Sequence, residues 1–97
     1  MMILGVHQTP SLTRERYEEV VRRLTGGKTR IESPSDLPFE GLLVHATGEG
    51  PYGFFIFDVF ESEAAVEAFQ AAVGSTPQDV GIAEPPKFFP AHTVYIA

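Results

Sequence analysis

The sequence predicts one small α+β domain with its elements in the order strand, helix, strand, strand, helix, strand. Three observations predict this order: short runs rich in β-branched and aromatic residues, two stretches with apolar residues at helical spacing, and turn residues between them. Ninety-seven residues are enough for one domain, 1–97, and too few for a second core. Each half contains a strand, a helix and a strand, which is the pattern of a ferredoxin-like βαββαβ fold: a four-stranded antiparallel sheet with both helices on one face.

The first half of the chain begins with an apolar run from Met1 to His7, which predicts a strand that ends before Thr9-Pro10. Thr13 is the predicted N-cap of the first helix. The helix carries one apolar stripe at i, i+3, i+4 and i+7, formed by Tyr17, Val20, Val21 and Leu24. Gly26-Gly27 ends it, and a loop follows over residues 28–40.

The second half begins with a predicted hairpin, in which strands at Gly41–Gly48 and Gly53–Phe60 are joined by a turn at Glu49–Tyr52. Ser62 is the predicted cap of the second helix, and Gly74 ends it. Residues 75–90 contain four of the eight prolines, so we predict a mostly extended connection there. The last strand is predicted at 91–97.

The predicted third strand is apolar on both faces. Phe54, Ile56, Asp58 and Phe60 share one face, and Phe55, Phe57 and Val59 share the other. A strand with one wet face alternates apolar and polar residues, and this one does not. Since two helices cover only one face of a four-stranded sheet, we predict a homodimer that covers the other face. A different protein partner on the same face is the alternative.

The composition excludes several classes of function. Without cysteine the chain has no disulfide, thiolate metal site or cysteine nucleophile, which suits a cytoplasmic location. A net charge of −6, with basic residues interleaved with glutamates, argues against nucleic-acid binding. No apolar run approaches the roughly 20 residues of a membrane span, so we predict no membrane partner.

The order of several soft motifs resembles the dimeric α/β-barrel superfamily, which includes antibiotic-biosynthesis monooxygenase-like proteins and many small bacterial members. The motifs that carry the resemblance are Leu12-Thr13 leading to Tyr17 and Val20-Val21, Gly41 to Ala46, Phe57 to Glu63, and Phe89 to His92. The resemblance implies a ferredoxin-like fold, a dimer whose two sheets form a barrel, and a pocket between each sheet and its helices. Oxygenases of this group tend to use a tryptophan and an asparagine, and this chain has neither.

Two ionisable residues stand out on the predicted hairpin. Asp58 is the one ionisable group within the third strand, and a buried carboxylate requires a partner or a raised pKa. With a turn at Glu49–Tyr52, Leu43 opposes Asp58 and His45 is its diagonal neighbour on the same face. An Asp–His pair of this kind suits general base catalysis. A turn longer or shorter by one residue sends the two side chains to opposite faces, and both side chains also have purely structural explanations.

Five further residues are candidate ligand-binding groups. His7 ends the first strand and His92 begins the predicted last one, so these neighbouring strands can bring the two together. Tyr17, Tyr52 and Tyr95 carry hydroxyl groups that suit a pocket, although packing explains them equally well. The histidine spacing has no HxH or HxxxH signature, so we predict no metal site and no cofactor.

Two functions therefore remain open at the level of sequence. The first is a small-molecule-binding protein that oxidises or isomerises an apolar or aromatic substrate without a cofactor, as a monooxygenase or an isomerase, with His45 and Asp58 as its polar pair. The second is a non-enzymatic dimerisation or interaction module with no ligand pocket. An open cavity lined by His45, Asp58 or a tyrosine would favour the first.

Overall fold

Four strands and two long helices follow one another in the predicted order in the structure, a computed structural model that describes all 97 residues. The elements are β1 (Ile3–His7), α1 (Arg14–Thr25), β2 (Leu42–Gly50), β3 (Gly53–Phe60), α2 (Glu63–Val73), a short α3 (Thr76–Asp79) and β4 (Lys87–Pro90), with a 3-10 turn at Pro34–Asp36. All strand pairs are antiparallel, and the sheet order is β2-β3-β1-β4. The predicted α+β class and four-stranded antiparallel sheet are confirmed, and the arrangement is compatible with a ferredoxin-like fold.

Both long helices begin and end at the predicted residues. The Thr13 hydroxyl accepts a hydrogen bond from the backbone N–H of Arg16 at 3.2 Å, and the Ser62 hydroxyl accepts one from Ala65 at 3.2 Å. These bonds satisfy N–H groups that have no partner within the helix. α1 ends at Gly26, whose φ of 79° lies in the left-handed region that favours glycine.

The β2–β3 hairpin is tighter than predicted. Gly50 opposes Gly53, so the turn consists of Pro51 and Tyr52 alone and β2 continues two residues further than Gly48. The shift places His45 directly opposite Asp58 instead of diagonal to it. Because the turn differs by two residues, the side chains keep the predicted face.

The C-terminal part of the chain differs most from the prediction. Residues 75–90 contain α3 and the whole of β4, and residues 91–97 form no strand, so both predictions for this region were wrong. The reason lies in packing: the Phe88 ring lies 5.9 Å from Phe60 and 6.3 Å from Phe69, between centroids, which anchors the earlier segment to the core. β4 is an edge strand, where proline is tolerated because one row of N–H groups bonds no neighbour.

Both long helices pack on the same face of the sheet, over two separate apolar clusters. Tyr17 and Val21 of α1 pack with Phe54 of β3, whereas Ala65 and Val66 of α2 pack with Ile3 and Phe60. The core is therefore divided into two halves, one under each helix. No helix has the length and apolar character needed to cross a membrane.

The opposite face of the sheet, which we call the outer face, is apolar and incompletely covered. Val6 of β1 opposes Phe57 of β3, and their exposed fractions are 41% and 37%. On the other side of β1, Phe89 of β4 opposes Leu4, and its exposed fraction is 49%. The predicted two-sided apolar character of β3 is thus present in the structure.

Candidate functional site

A cavity of about 520 Å³ lies between the inner face of the sheet and the helices. It is lined by residues of both core clusters, among them Leu12 and Val21 on one side and Phe69 and Phe88 on the other. Its lining is mainly apolar, and its volume lies within the roughly 300–1,000 Å³ usual for small-molecule sites. The gap between the two halves of the core is therefore large enough for a ligand.

Three polar side chains on the cavity wall form one hydrogen-bonded chain. The Tyr17 hydroxyl lies 2.7 Å from Nε2 of His45, and Nδ1 of His45 lies 2.6 Å from Oδ1 of Asp58. All three side chains are largely or wholly buried and all line the cavity. We call these three hydrogen-bonded side chains the Tyr17–His45–Asp58 relay.

Local structure explains how the three side chains meet. His45 and Asp58 face each other across the β2–β3 ladder, on the face that the helices cover. Tyr17 lies on the first turn of α1, one turn after its Thr13 cap, and its ring packs 5.2 Å from that of Phe54. The helix cap and the hairpin register together fix the relay.

The directions of the two hydrogen bonds follow from the chemistry of the groups. A carboxylate only accepts, so Nδ1–H of His45 donates to Asp58. The other ring nitrogen of a neutral imidazole is an acceptor, so the Tyr17 hydroxyl donates to Nε2. Burial, with the charge of Asp58 as a further cause, raises the pKa of Tyr17 to about 12, which keeps this hydroxyl protonated at neutral pH.

Gly5 leaves space beside the carboxylate of Asp58. It opposes Asp58 across the β1–β3 ladder and lines the cavity. A Cβ atom at this position would lie 3.2 Å from the Phe60 ring and 3.3 Å from the Phe88 ring. A side chain here would therefore crowd the aromatic wall and reduce the cavity.

A second cavity, of about 480 Å³, borders the same relay from another side. It shares Tyr17 and His45 with the first cavity, but charged residues such as Arg14, Glu18 and Glu32 line it. The Tyr17–His45 bond thus has an apolar cavity on one side and a polar one on the other. His45 therefore borders polar surroundings as well as the apolar cavity.

His7 also lines the first cavity, next to the relay. It is 8% exposed, and its Nε2 lies 2.8 Å from the backbone carbonyl oxygen of Glu84. Burial lowers the pKa of His7 below its usual value, although the hydrogen bond to Glu84 and the charges of Glu84 and Asp58 oppose the shift. The contribution of Glu84 to the cavity wall had no signal in the sequence, because it depends on a contact between residues 77 positions apart.

The structure brings only some of the predicted site residues together. His45, Asp58, Tyr17 and His7 line the cavity, whereas Tyr52, His92 and Tyr95 are exposed and lie outside its lining. His92 lies beyond Pro90, which opposes Ile3, so it sits at the far end of β1 from His7. The expectation that these two histidines meet was wrong, because it rested on a last strand four residues too late in the chain.

No group of three or more His, Asp or Glu side chains is placed to hold a metal ion. What the site can do chemically is move a proton between a bound molecule and His45 by way of the Tyr17 hydroxyl, with Asp58 stabilising the imidazolium that forms.

Comparisons of this chain with protein-family models, with curated proteins and with solved structures found no match. The resemblance to the dimeric α/β-barrel superfamily stays a prediction.

Proposed function

We propose that this chain is a small-molecule-binding protein that catalyses a cofactor-independent proton transfer, as an isomerase does, on an apolar or aromatic substrate. The observation that carries the proposal is the Tyr17–His45–Asp58 relay, which borders a cavity of about 520 Å³ whose remaining walls are mainly apolar. Binding sites for small molecules commonly combine an apolar cavity with a few converging polar groups. We also infer a cytoplasmic location, which suits a chain without cysteine.

The proposed reaction is a proton shift that the relay starts and completes. Tyr17 oxygen accepts a proton from an acidic C–H or O–H of the substrate as the Tyr17 hydroxyl proton passes to Nε2 of His45. Asp58 stabilises the resulting imidazolium, as a carboxylate does in other histidine-based sites. A proton then returns from His45 through Tyr17 to a different atom of the substrate, so no atom or electron is gained or lost. In D₂O the proton held by the relay exchanges with solvent on the side of the polar second cavity before this return, so the atom that is protonated acquires deuterium.

Two features favour proton transfer over the monooxygenase reaction that the resemblance implies. The chain lacks the tryptophan and asparagine that such oxygenases tend to use. Its buried polar groups on the cavity wall are instead a hydrogen-bonded acid–base chain. The cavity also favours a ligand-binding role over a purely structural module, for which a closed core is expected.

The proposal is tested with a probe whose acidic C–H sits on an apolar aromatic skeleton, β-tetralone, dissolved in D₂O. NMR follows deuterium incorporation at its α-carbon. We expect the protein to accelerate exchange, and His45→Ala and Tyr17→Phe to lose about 10²- to 10⁴-fold of that acceleration, the range typical of general acid–base catalysis.

The matched control is His92→Ala, which removes an exposed histidine outside the cavity and should leave the rate unchanged. The catalytic role would be refuted if NMR shift mapping shows β-tetralone bound in the cavity but its deuterium exchange is no faster than in buffer without protein. Oxygen uptake on an electrode, with an oxygenated product, would favour the monooxygenase instead.

We further propose that the outer face pairs with that of a second copy, giving a homodimer. Support comes from Val6, Phe57 and Phe89, which are all more than one-third exposed on a face that carries a single charged residue, Lys87. Covering a patch of several hundred Å² on each copy is worth on the order of 10 kcal/mol before the cost of association. The alternative, a partner of different sequence, would use the same face.

The dimer is tested by light scattering and sedimentation at micromolar concentration. Phe57→Lys places a charge at the centre of the outer face and should give a monomer. Ala71→Lys adds the same charge on an exposed position of α2 and should leave the dimer intact. A wild-type protein that is monomeric under these conditions would contradict the proposal.

A further inference from the structure

We propose that His7 is a ligand-binding residue whose Nδ1 accepts a hydrogen bond, so that the molecule bound in the cavity is an aromatic or apolar ring carrying a hydroxyl or N–H donor. This inference rests on the proposed small-molecule function and narrows its substrate class. It is independent of the proton-transfer chemistry, because it concerns a group that the relay does not use.

The tautomer of His7 follows from its one protein contact. Nε2 lies 2.8 Å from the carbonyl oxygen of Glu84, and a carbonyl only accepts, so Nε2 carries the proton and donates it. The second ring nitrogen of the neutral imidazole, Nδ1, then carries a lone pair. No donor of the protein bonds this nitrogen, and it is not among the atoms fully enclosed by the protein.

The carbonyl that orients His7 is itself held in place. The Glu84 carboxylate accepts a hydrogen bond from the Ser11 hydroxyl at 2.7 Å and one from the Ser11 backbone N–H at 3.4 Å. The Ser11 hydroxyl in turn accepts a bond from the backbone N–H of Ala83 at 2.9 Å. These bonds join the segment before β4 to the loop after β1, so the imidazole of His7 is fixed before any ligand binds.

Burial decides which kind of partner His7 takes. With 8% of its surface exposed, His7 has a lowered pKa and is neutral at pH 7 despite the nearby carboxylates of Glu84 and Asp58. A neutral imidazole that already donates through Nε2 can only accept at Nδ1. Nδ1 has no partner in the protein and is not enclosed by it, so a ligand with a donor group can take the place of water on this nitrogen.

The position of His7 links this acceptor to the relay. His7 opposes Ile56, and Asp58 is two residues further along β3 on the same face, so His7 and Asp58 are diagonal neighbours. Gly5, which opposes Asp58 and lies two residues before His7 on β1, adds no side chain beside them. A single ring can therefore place a donor on His7 and another of its atoms near the relay, which is the arrangement expected for a hydroxy- or amino-substituted aromatic substrate.

The test compares two probes of similar shape, phenol, which has an O–H donor, and toluene, which has a methyl group instead. Dissociation constants come from NMR titration of the wild type and of two variants. His7→Phe should weaken phenol binding about five- to ten-fold, as expected for one lost hydrogen bond, and change toluene binding less than about two-fold. His7→Gln keeps a donor for Glu84 and an acceptor for the ligand, and should restore phenol binding in part.

A measurement on the wild type alone covers the possibility that His7→Phe does not fold. Phenol should shift the ¹⁵N resonance of His7 Nδ1, and toluene should not. Two outcomes overturn the inference when both probes bind in the cavity of the wild type. The first is that His7→Phe weakens the binding of phenol and of toluene equally, and the second is that phenol leaves the ¹⁵N resonance of His7 Nδ1 unmoved. If neither probe binds the wild type, the proposed ligand-binding function fails together with the inference.

Discussion

Replacing His45 with leucine should destabilise the protein more than replacing either of its hydrogen-bond partners. His45 is the middle member of the relay, with Tyr17 at 2.7 Å on one ring nitrogen and Asp58 at 2.6 Å on the other. Its removal leaves a buried hydroxyl and a buried carboxylate without partners. Replacing Tyr17 or Asp58 instead leaves only one ring nitrogen of His45 without a partner.

The expected magnitudes follow from these unpaired groups. The side chains of His45 and Asp58 are 17% and 12% exposed, so water reaches them little. Removing one member of a buried pair costs about 3–5 kcal/mol, the value expected for His45→Leu. Asp58→Leu leaves the Nδ1–H of His45 unpaired and should cost about 1–3 kcal/mol. Tyr17→Phe leaves Nε2 of His45 without a donor and should cost about 1 kcal/mol. For a domain of this size His45→Leu should lower Tm on the order of 20 °C.

Urea denaturation followed by circular dichroism measures these differences in the free energy of unfolding. The triple variant Tyr17→Phe, His45→Leu, Asp58→Leu is the decisive control, because it removes all three polar groups of the relay and leaves none of them unpaired. We expect it to be more stable than His45→Leu alone, which is a strong departure from additivity. If the three single costs simply add in the triple variant, or if Tyr17→Phe is the costliest single change, the three side chains do not act as one hydrogen-bonded unit with His45 at its centre.

Three further predictions concern His7, Ser62 and Gly5. Because burial lowers the folded-state pKa of His7, the imidazole binds a proton more readily in the unfolded chain. The free energy of unfolding should therefore fall as pH drops below about 6.5 and level off below the folded-state pKa. In urea melts at a series of pH values, His7→Gln should flatten this region of the pH dependence. Ser62→Ala should cost about 1 kcal/mol in the same assay by removing the cap of α2, and Ser62→Thr should cost much less. Gly5→Ala should cost about 1–2 kcal/mol, since its methyl group would lie 3.2 Å from the Phe60 ring, and a neutral effect in chemical denaturation would show that the ring gives way.

The sequence determined the elements whose signals are local. Thr13, Gly26 and Ser62 mark helix ends through their own backbone and side-chain chemistry, and they lie where predicted. The run from Gly53 to Phe60 forms β3 with the predicted bounds, because its aromatic and β-branched residues favour a strand and the glycine allows the turn before it. These features depend on residues close together in the chain.

Tertiary packing decided the C-terminal region. Local signals favoured residues 91–97 as the last strand, because the prolines before them discourage an extended ladder. The structure places β4 at Lys87–Pro90, where Phe88 reaches the aromatic cluster under α2 and the strand pairs with β1 at the sheet edge. The area buried by one phenylalanine against distant rings is not visible in a local window of sequence.

The candidate site divides in the same way. The sequence alone identified Asp58 as the polar interruption of an apolar strand, and it placed His45 on the same face only if the turn spans Glu49–Tyr52. Only the tertiary structure fixed a two-residue turn, brought Tyr17 from α1 to His45, and left a cavity between two half-cores. Hydrogen-bond geometry and empty volume are properties of elements packed against one another, and residues 28 and more positions apart meet only once the chain has folded.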